Sequence, residues 1–519
     1  MSKETKQLTA DSEDLEYKLN LRNIEKKDIP HILELTNKIY SKLNDNWTYE
    51  QIEALLKVFP EGQICIEDKG EIVACAFSII VDYEKFGDKH TYNQITANCT
   101  FTTHDYDGDV LYGVDIFVHP DYQGLRLGRR LYDARKEMCE NLNLKSIIAG
   151  GRIPGYTKYA NKLTPREYID KVKAKEIYDP ILTFQLSNDF QVKKVLKNYL
   201  PSDNESHAYA SLLQWHNIYY EEENDKIINT QTQVVRIGIV QWQMRTLTLE
   251  TLFAQIEFYV DTISAYNADF VLFPEFFNAP LMSKYNNLNA ADAIRKLAGY
   301  TDEIVEKMME FAIAYNINII AGSMPVYENE KLYNVSYLCR RDGTWDEQYK
   351  LHITPDEARE WGMQGGNKLK AFDTDVCKIG ILICYDVEFP ELSRFLADQG
   401  VKILFVPFLT DTVNAYNRVR LCAQARAIEN EFYVALGGSV GNLPRVNNMG
   451  LQYAQSAVFS PSDFNFPKDG IISEATPNTE MAVIADVDLY SLKELHQQGS
   501  VRNLIDRRKD LFELKWKGK

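Results

Sequence analysis

The stretch from Ile379 to Glu388, Ile-Gly-Ile-Leu-Ile-Cys-Tyr-Asp-Val-Glu, decides the fold of its part of the chain. An apolar run bounded by polar residues predicts a buried strand, and this one ends in Cys384, followed at once by Tyr385 and Asp386. In sheets covered by helices on both faces, ligands usually bind outside the carboxyl ends of the strands. A thiol at this place can therefore meet a substrate, although a free cysteine is more often buried and inert.

Two other stretches carry chemically useful side chains near the ends of predicted strands. The stretch from Ala268 to Pro280 delivers Glu275 directly after a proline. The stretch from Gln348 to Glu357 offers Lys350 and Glu357 between a strand and a proline-marked loop. Taken singly, a glutamate can cap a helix and a lysine is usually a solvated surface charge. Together with the cysteine, however, they supply an acid or base, a cation and a thiol.

The order and spacing of these residues resemble the nitrilase, or carbon–nitrogen hydrolase, superfamily. The family's Glu, Lys and Cys match Glu275 in Leu-Phe-Pro-Glu, Lys350 in Tyr-Lys-Leu-His and Cys384 in Ile-Cys-Tyr-Asp, and the step from residue 350 to residue 384 fits. The segment from Ala425 to Asn430 is also typical of the family, so the resemblance runs from Val234 to the C-terminus. It implies an αββα four-layer sandwich that usually pairs into dimers.

The resemblance also implies a role for each residue. Cys384 is the expected nucleophile, attacking as a thiolate that the nearby Lys350 favours. Glu275 is expected to take the thiol proton, pass it to the leaving nitrogen and then activate water against the thioester. Lys350 and the backbone N–H of Tyr385 are expected to hold the oxyanion, and Glu357 to orient the proton network. The hydrolase chemistry needs no metal and no cofactor.

A small-molecule amide is the substrate that the resemblance favours, with ω-amides among the candidates. Two alternatives stay open. The same triad can attack the C≡N bond of a nitrile, and the chain could instead be an acyl-CoA-binding or acetyltransferase protein whose hydrolase domain is regulatory. The presence of all four catalytic residue types at matching spacings argues against an inactive scaffold. His352, beside Lys350, is tempting as a partner of the cysteine, but the resemblance makes it structural.

Length and composition restrict the remaining possibilities. A chain of 519 residues is too long for one ordinary core, so two or more domains are expected. A formal charge of −16 argues against a nucleic-acid partner, which needs a basic surface. No stretch approaches the roughly 20 apolar residues of a membrane span. The 8 cysteines, without a CxxC pair, suit a reducing compartment, and we expect a soluble cytoplasmic protein that binds no membrane.

The first part of the chain predicts a mixed sheet with helices. Helices are expected over 28–43 and 48–59, with Thr48 as the N-cap of the second, followed by a hairpin over 63–82. The strand over 111–118 then runs into a glycine-bearing loop and a further helix. Backbone N–H groups and the dipole at such a helix start favour anions, so the loop is a phosphate cradle in principle.

This loop looks like the acetyl-CoA pyrophosphate loop of the GCN5-related N-acetyltransferases, whose pattern is Gln/Arg-x-x-Gly-x-Gly/Ala. Gln123 and Gly128 fit, Gly124 lies between them, and Arg126 stands at the middle glycine. Arginine is strained where a glycine adopts positive φ, but Arg126 and Arg129 can pair with phosphate. The resemblance makes acetyl-CoA a possible cofactor of this domain.

A second departure from that family lies further along the chain. Asp189 stands where the family commonly has the glycine of an Asn-Gly-Phe turn. A general base for acetyl transfer cannot be named, since Glu167 and Tyr199 are more typical of surface and core positions.

The chain therefore divides into a flexible tail over 1–18, a GNAT-like acyl-CoA-binding domain over 19–220, a polar linker over 221–232 and a hydrolase domain over 233–519. The fold class expected is α/β and α+β. The hydrolase part is expected to form a homodimer or higher homo-oligomer.

Overall fold

The computed structural model describes residues 17–40, 46–220, 233–444, 446–447 and 449–518. Within these ranges the chain forms two compact units, one before and one after the interval 221–232. The expected linker and the expected tail lie outside the described residues, apart from residues 17 and 18 of the tail. In the described part of the chain, no helix is long and apolar enough to cross a membrane.

The N-terminal unit is a mixed sheet with helices, as expected. Its strands are β1 (Leu19–Asn23), β2 (Ile64–Asp68), β3 (Glu71–Val81), β4 (Val110–Val118), β5 (Ser146–Arg152), β6 (Gln191–Leu196) and β7 (Ala210–His216). Its helices are α1 (Ile29–Ile39), α2 (Tyr49–Val58), α3 (Tyr92–Ile95), α4 (Leu127–Asn141), α5 (Pro165–Lys173) and α6 (Leu182–Leu186). The strand order is β1-β2-β3-β4-β5-β7-β6, in which β4 and β5 run parallel and the other neighbours antiparallel.

The parallel strands β4 and β5 diverge toward their carboxyl ends. Their pairing stops where Gly113 lies opposite Ala149, and beyond this point β4 continues beside β3 and β5 beside β7. The register between β3 and β4 shifts so that Val114 has no partner, which is the pattern of a β-bulge and bends the strand. The adjacent edges of β4 and β5 therefore lie open in the second half of each strand.

One local prediction in this unit concerns the start of α2. Thr48 caps the helix by accepting a hydrogen bond from the backbone N–H of Gln51, and its own backbone N–H donates to Oε1 of the Gln51 side chain. The predicted N-cap is therefore confirmed, and it forms part of a capping box. Helix α1 ends at Ile39, and residues 41–43 of the helix predicted there lie outside the described ranges.

The C-terminal unit alternates strands and helices. Its strands are β8 (Val234–Met244), β9 (Phe270–Leu272), β10 (Asn318–Ile320), β11 (Met324–Glu328), β12 (Lys331–Cys339), β13 (Trp345–Tyr349), β14 (Ile379–Ile381), β15 (Ile403–Phe408), β16 (Tyr433–Asn442), β17 (Leu451–Gln452), β18 (Ala457–Phe459), β19 (Ile471–Glu474) and β20 (Met481–Asp488). Its helices are α7 (Leu249–Ser264), α8 (Ala290–Ala298), α9 (Thr301–Ala314), α10 (Pro390–Asp398), α11 (Val413–Asn430) and α12 (Leu489–Gln498).

Strand β8 shows how the layers of this unit form, because its two faces enter different cores. One face joins a core with β14, β15, β16, α10 and α11, through Val235, Ile237 and Ile239. The other joins a core with α7 and α9, through Val240, Trp242 and Met244. Successive side chains of a strand point to opposite faces, so sheet packs on sheet inside and helices cover the outside.

The two halves of the sandwich touch through aromatic side chains. Phe270 of β9 lies against Phe405 of β15, with ring centroids 5.2 Å apart. At one edge the halves are also joined, because β16 pairs with β8 over Ser439–Gly441. The expected αββα four-layer sandwich is therefore confirmed, with its two sheets continuous at that edge.

Candidate active site

The three residues expected to carry the chemistry each follow the end of a strand. Glu275 comes three residues after β9, Lys350 comes directly after β13, and Cys384 comes three residues after β14. Strand β14 ends at Ile381. The apolar run that is predicted as one strand therefore leaves strand geometry before it reaches Cys384. Residues separated by more than a hundred positions in sequence meet at this end of the sandwich.

Cys384 lies at a sharp turn of the backbone. It opens a 3₁₀ helix over Cys384–Glu388, and its φ of 47° is in the left-handed region, which costs a non-glycine residue about 1–2 kcal/mol. Its Sγ donates to the backbone carbonyl oxygen of Leu409 at 3.6 Å, and the residue is 7% exposed. Backbone strain of this kind is typical of functional positions, because the surrounding structure must hold it in place.

Glu275 is 2% exposed and uses both carboxylate oxygens. Oε1 accepts hydrogen bonds from Asn334 Nδ2 at 2.8 Å and from Lys350 Nζ at 2.9 Å. Oε2 accepts one from the backbone N–H of Leu409 at 3.0 Å. Leu409 thus donates to this carboxylate and accepts from the Cys384 thiol, so a single peptide segment fixes both groups.

Lys350 is 1% exposed, and its three N–H groups donate hydrogen bonds to two carboxylates. Besides Glu275, Nζ donates to Glu357 Oε1 at 2.7 Å and to Glu357 Oε2 at 2.9 Å. Glu357 is fixed in turn by the backbone N–H of Thr354, which donates to Oε2 at 2.9 Å. Burial alone would lower the pKa of Lys350, but the two carboxylates outweigh it and raise that pKa well above its ordinary value. The lysine is a permanent cation here.

The Cys384 thiol is neutral in the resting site. Burial, with the carboxylate of Glu275 next in size, raises the pKa of Cys384 well above its ordinary value, and the opposing effect of Lys350 is smaller. Lys350 does favour the thiolate, but burial and the Glu275 carboxylate outweigh its effect in the resting site. Burial also raises the pKa of Glu275, against the attraction of Lys350. A neutral thiol faces a carboxylate whose proton affinity is increased.

Asp386 connects the segment that follows Lys350 to the short helix that begins at Cys384. Its carboxylate accepts hydrogen bonds from the backbone N–H groups of Leu351 at 3.0 Å and His352 at 2.7 Å. The His352 side chain places Nδ1 3.0 Å from the same carboxylate, and its ring stacks on Phe389 at a centroid distance of 3.6 Å. These contacts direct His352 to Asp386. Tyr385 lies at the edge of the same cluster, with its ring 4.9 Å from that of Phe389.

The segment from Ala425 to Asn430, singled out in the sequence, belongs to α11 and supports the same short helix. Arg426 donates from Nε to the carbonyl oxygen of Val387 at 3.0 Å and from a terminal nitrogen to that of Glu388 at 3.3 Å. It therefore satisfies carbonyl groups at the end of the helix that begins with Cys384.

Sequence reasoning missed two groups that hold Glu275. Asn334 lies on β12, in the middle of a strand, and nothing in its surroundings along the chain sets it apart. Leu409 acts only through its backbone atoms, which any residue type supplies. For Asp386 there was a signal, its place two residues after the cysteine.

In the N-terminal unit, both glycine positions filled by other residues keep a glycine-like backbone. Arg126 has φ 53° and Asp189 has φ 64°. The Asp189 carboxylate also accepts a hydrogen bond from Lys136 Nζ at 2.9 Å. The turn geometry that the family builds with glycine is thus retained at a cost of about 1 kcal/mol at each position.

The loop leads into α4, a helix of 15 residues that begins at Leu127. Gln123, Gly124 and Arg126 are exposed before it. In the first turn of α4 the backbone N–H groups of Arg129 and Arg130 donate to the Arg126 carbonyl oxygen, so those of Leu127 and Gly128 are the donors placed for an anion. These residues fit a pyrophosphate by the chemistry of their donors. Gly128 has a packing role as well, since a Cβ there would lie 2.8 Å from the Phe184 ring.

Comparison with known proteins finds a family match for each of the two units. Residues 236–497 match the family model described as carbon–nitrogen hydrolase, and residues 29–155 match that of the acetyltransferase (GNAT) family. A probable hydrolase of Bacillus subtilis, YhcX, is 46% identical over 97% of this chain and 98% of its own length.

Two further relatives each match one unit. An uncharacterized N-acetyltransferase of Bacillus subtilis, YkwB, is 32% identical over 39% of this chain and 91% of its own. The omega-amidase NIT2 of Bos taurus is 28% identical over 54% of this chain and 98% of its own. The chain belongs to the carbon–nitrogen hydrolase family of the nitrilase superfamily, and it carries an N-terminal domain of the GNAT acetyltransferase family.

Proposed function

We propose that this enzyme is an amidase that hydrolyses a small-molecule amide through a thioester on Cys384. The observation that carries the proposal is the buried cluster in which Lys350 joins Glu275 to Glu357 beside the thiol. Similarity to the omega-amidase NIT2 supports the amide as the substrate class. In this proposal the hydrolase domain comprises residues 233–519 and the acetyltransferase-like domain residues 19–220.

The first half-reaction forms the thioester and releases ammonia or an amine. The Cys384 sulfur attacks the amide carbon while its proton passes to Glu275, whose raised pKa suits it to accept one. The developing oxyanion is held by the Lys350 ammonium and the backbone N–H of Tyr385, in the first turn of the short helix. The C–N bond breaks as Glu275 returns the proton to the nitrogen.

The second half-reaction releases the acid and restores the thiol. Water attacks the thioester carbon and gives one proton to Glu275, and the same oxyanion partners hold the new tetrahedral intermediate. The C–S bond breaks and the proton returns to sulfur. Because the thiol is neutral at rest, each half-reaction begins and ends in the same protonation state.

A substrate panel tests the amide assignment against the nitrile alternative. We expect ammonia release from ω-amides or aliphatic amides at a kcat/KM at least about tenfold above that for the matching nitriles. The reason is that Glu275 is placed to protonate a leaving nitrogen, whereas a nitrile has no leaving group in its first addition. Ammonia should be measured with a coupled enzyme assay on each amide–nitrile pair. A nitrile preference across all pairs would contradict the amidase proposal.

A second function, acetyl transfer from acetyl-CoA to an amine, is favoured by the GNAT match and by the left-handed backbone of Arg126. Gln123, Gly124, Arg126, Gly128 and Arg129 would hold the cofactor's pyrophosphate, and bound acetyl-CoA would supply an activated acetyl group. The transfer would form an N–C bond to the amine, break the C–S bond of the thioester and move one proton from the nitrogen to the CoA sulfur.

Calorimetric titration of the full chain with acetyl-CoA tests this second function. We expect saturable binding that a charge reversal, Arg129→Glu, weakens by about tenfold or more, because the loop must neutralise a pyrophosphate. The matched control is Arg166→Glu, the same charge reversal at an exposed arginine on α5, and it should retain binding. Absence of heat at millimolar acetyl-CoA, or equal binding by the Arg129→Glu variant, would contradict the cofactor assignment.

A further inference from the structure

Two cysteines of the N-terminal domain lie directly opposite each other on neighbouring strands. Cys65 in β2 and Cys75 in β3 are partners in the antiparallel register of these strands, and both thiols are free. Partner residues on paired strands carry their side chains on the same face of the sheet. In the described part of the chain, no other two cysteines are partners across a pair of strands.

The hydrogen bonds of β3 show which way the backbone of Cys75 points. The carbonyl oxygen of Val73 accepts from the backbone N–H of His119 at 2.7 Å, at the end of β4. Backbone groups along an antiparallel strand point alternately to its two neighbours. Cys75 lies two residues after Val73 in an unbroken register with β4, so it also directs its N–H and C=O groups to β4.

The hydrogen bonds of β2 give the same result for Cys65. The carbonyl oxygen of Gln63 accepts from the backbone N–H of Ile24 at 2.9 Å, in line with the pairing of β1 and β2. Cys65, two residues further along, therefore directs its backbone groups to β1. Cys65 and Cys75 thus form a non-hydrogen-bonded pair, in which opposite Cα atoms approach to about 4.5 Å.

This arrangement suits a disulfide bond. Disulfides join residues whose Cα atoms are roughly 4.4 to 6.8 Å apart and whose Cβ atoms point the same way. Both conditions are met here by the pairing of the strands alone. The two sulfur atoms can therefore be brought together by side-chain rotation, without a movement of the backbone.

The turn between the two strands fixes this register. Only Lys69 and Gly70 separate β2 from β3, and their φ values are 50° and 93°. Positive φ at both central residues is the pattern of a type I′ turn, whose twist matches that of the strands it joins. Because loop length and turn type set the register of a hairpin, the two cysteines stay opposite each other.

Cys65 is the sulfur placed to react first. Burial raises the pKa of its thiol to about 12, and Arg22, its partner on the edge strand β1, acts in the opposite direction. Burial raises the pKa of Cys75, one strand further from the edge, well above its ordinary value. Since the thiolate is the reactive form, exchange has to proceed through local opening of β1, a strand of 5 residues.

We propose that Cys65 and Cys75 form a thiol–disulfide couple that locks β2 to β3 when a low-molecular-weight disulfide is present. The Cys65 thiolate attacks one sulfur of that disulfide, forms a mixed disulfide and expels one thiolate. The Cys75 thiolate then attacks the Cys65 sulfur, forms the S–S bond between the strands and expels the second thiolate. Each cysteine gives its proton to one leaving thiolate, so the pair is oxidised and the small disulfide is reduced to two thiols.

Overnight incubation of the full chain with reduced and oxidised glutathione at a series of ratios tests the couple. Samples are quenched in acid, unfolded, treated with N-ethylmaleimide and digested with trypsin, which cleaves after Lys69, between the two cysteines. We expect a disulfide-linked pair of peptides, 58–69 and 70–85, that increases with the oxidised share of glutathione. Dithiothreitol should remove the link.

Two variants and one control accompany this measurement. Cys75→Val keeps a buried apolar side chain, and Cys65→Ala serves as the second variant in case Cys75→Val does not fold. Neither should give the linked peptides. The matched control is Cys139→Ala, at a buried cysteine on α4 of the same domain, and it should form the link to the wild-type extent.

Hydrogen–deuterium exchange of the wild-type chain measures the lock. In the linked form, the backbone amides of residues 64–76 should exchange about tenfold more slowly than in the reduced form, because the two strands no longer separate locally. Absence of the linked peptides at every glutathione ratio, or links from Cys65 and Cys75 mainly to other cysteines, would overturn the proposal. Unchanged exchange in the linked chain would overturn it as well.

Discussion

Replacing Cys384 by alanine is expected to reduce amide-dependent ammonia release by about 10⁴-fold or more, to the background without enzyme. The proposed mechanism passes through a bond to this sulfur, and loss of a covalent nucleophile removes nearly all catalysis in enzymes of this kind. The variant should fold, because Sγ makes one hydrogen bond, to the Leu409 carbonyl oxygen. Ammonia release with the best amide of the panel is the measurement.

Intact mass spectrometry of acid-quenched reactions supplies the control for this result. The wild-type chain should carry an acyl adduct during turnover, and the Cys384→Ala chain should carry none. Cys377→Ala, at another cysteine of the same domain, should release ammonia at the wild-type rate. Equal turnover in wild type and Cys384→Ala would remove the thioester mechanism.

Glu275→Gln is expected to lower kcat by about 10³-fold, through loss of the proton acceptor for a thiol that is neutral at rest. A glutamine amide also cannot accept on both sides as the carboxylate does, from Lys350 and from the Leu409 N–H. Steady-state rates across pH, with the acyl adduct followed by mass, measure the effect. The adduct should form slowly in this variant.

Glu357→Gln is the matched comparison, because it neutralises the other carboxylate on the same ammonium. Glu357 contacts Lys350 and the Thr354 backbone, and within the described part of the chain its carboxylate forms no hydrogen bond with Cys384. It should therefore act through the position of the lysine and impair turnover less than Glu275→Gln does. The opposite order of the two variants would exchange the roles of the two glutamates.

The sequence predicts this site because its side chains stand at strand ends with recognisable neighbours. Pro274 before Glu275, Tyr349 before Lys350 and Tyr385 after Cys384 give each residue a local signature. The apolar run from Val234 to Gln241 likewise predicts a buried strand. The structure brings together the residues that these local patterns indicate.

Other features of the site depend on long-range packing and have no local signature in the sequence. The Leu409 peptide reaches both Glu275 and Cys384 only because β15 ends beside them. The raised pKa of the thiol depends on how deeply the fold buries it, which spacing along the chain does not report. In the N-terminal domain, the sequence predicts strain for an arginine at position 126, but it does not report that the surrounding fold imposes the left-handed backbone there.

The pairing of one ammonium with two carboxylates also bears on how a turnover ends. With both Glu275 and Glu357 ionised and the thiol neutral, the four groups together carry one negative charge in a buried space. In the proposed reaction, an uncharged amide group enters such a space without electrostatic penalty, whereas the acid formed from it ionises and meets like charge at short range. The amidase proposal therefore implies that the site repels the carboxylate product and favours its release.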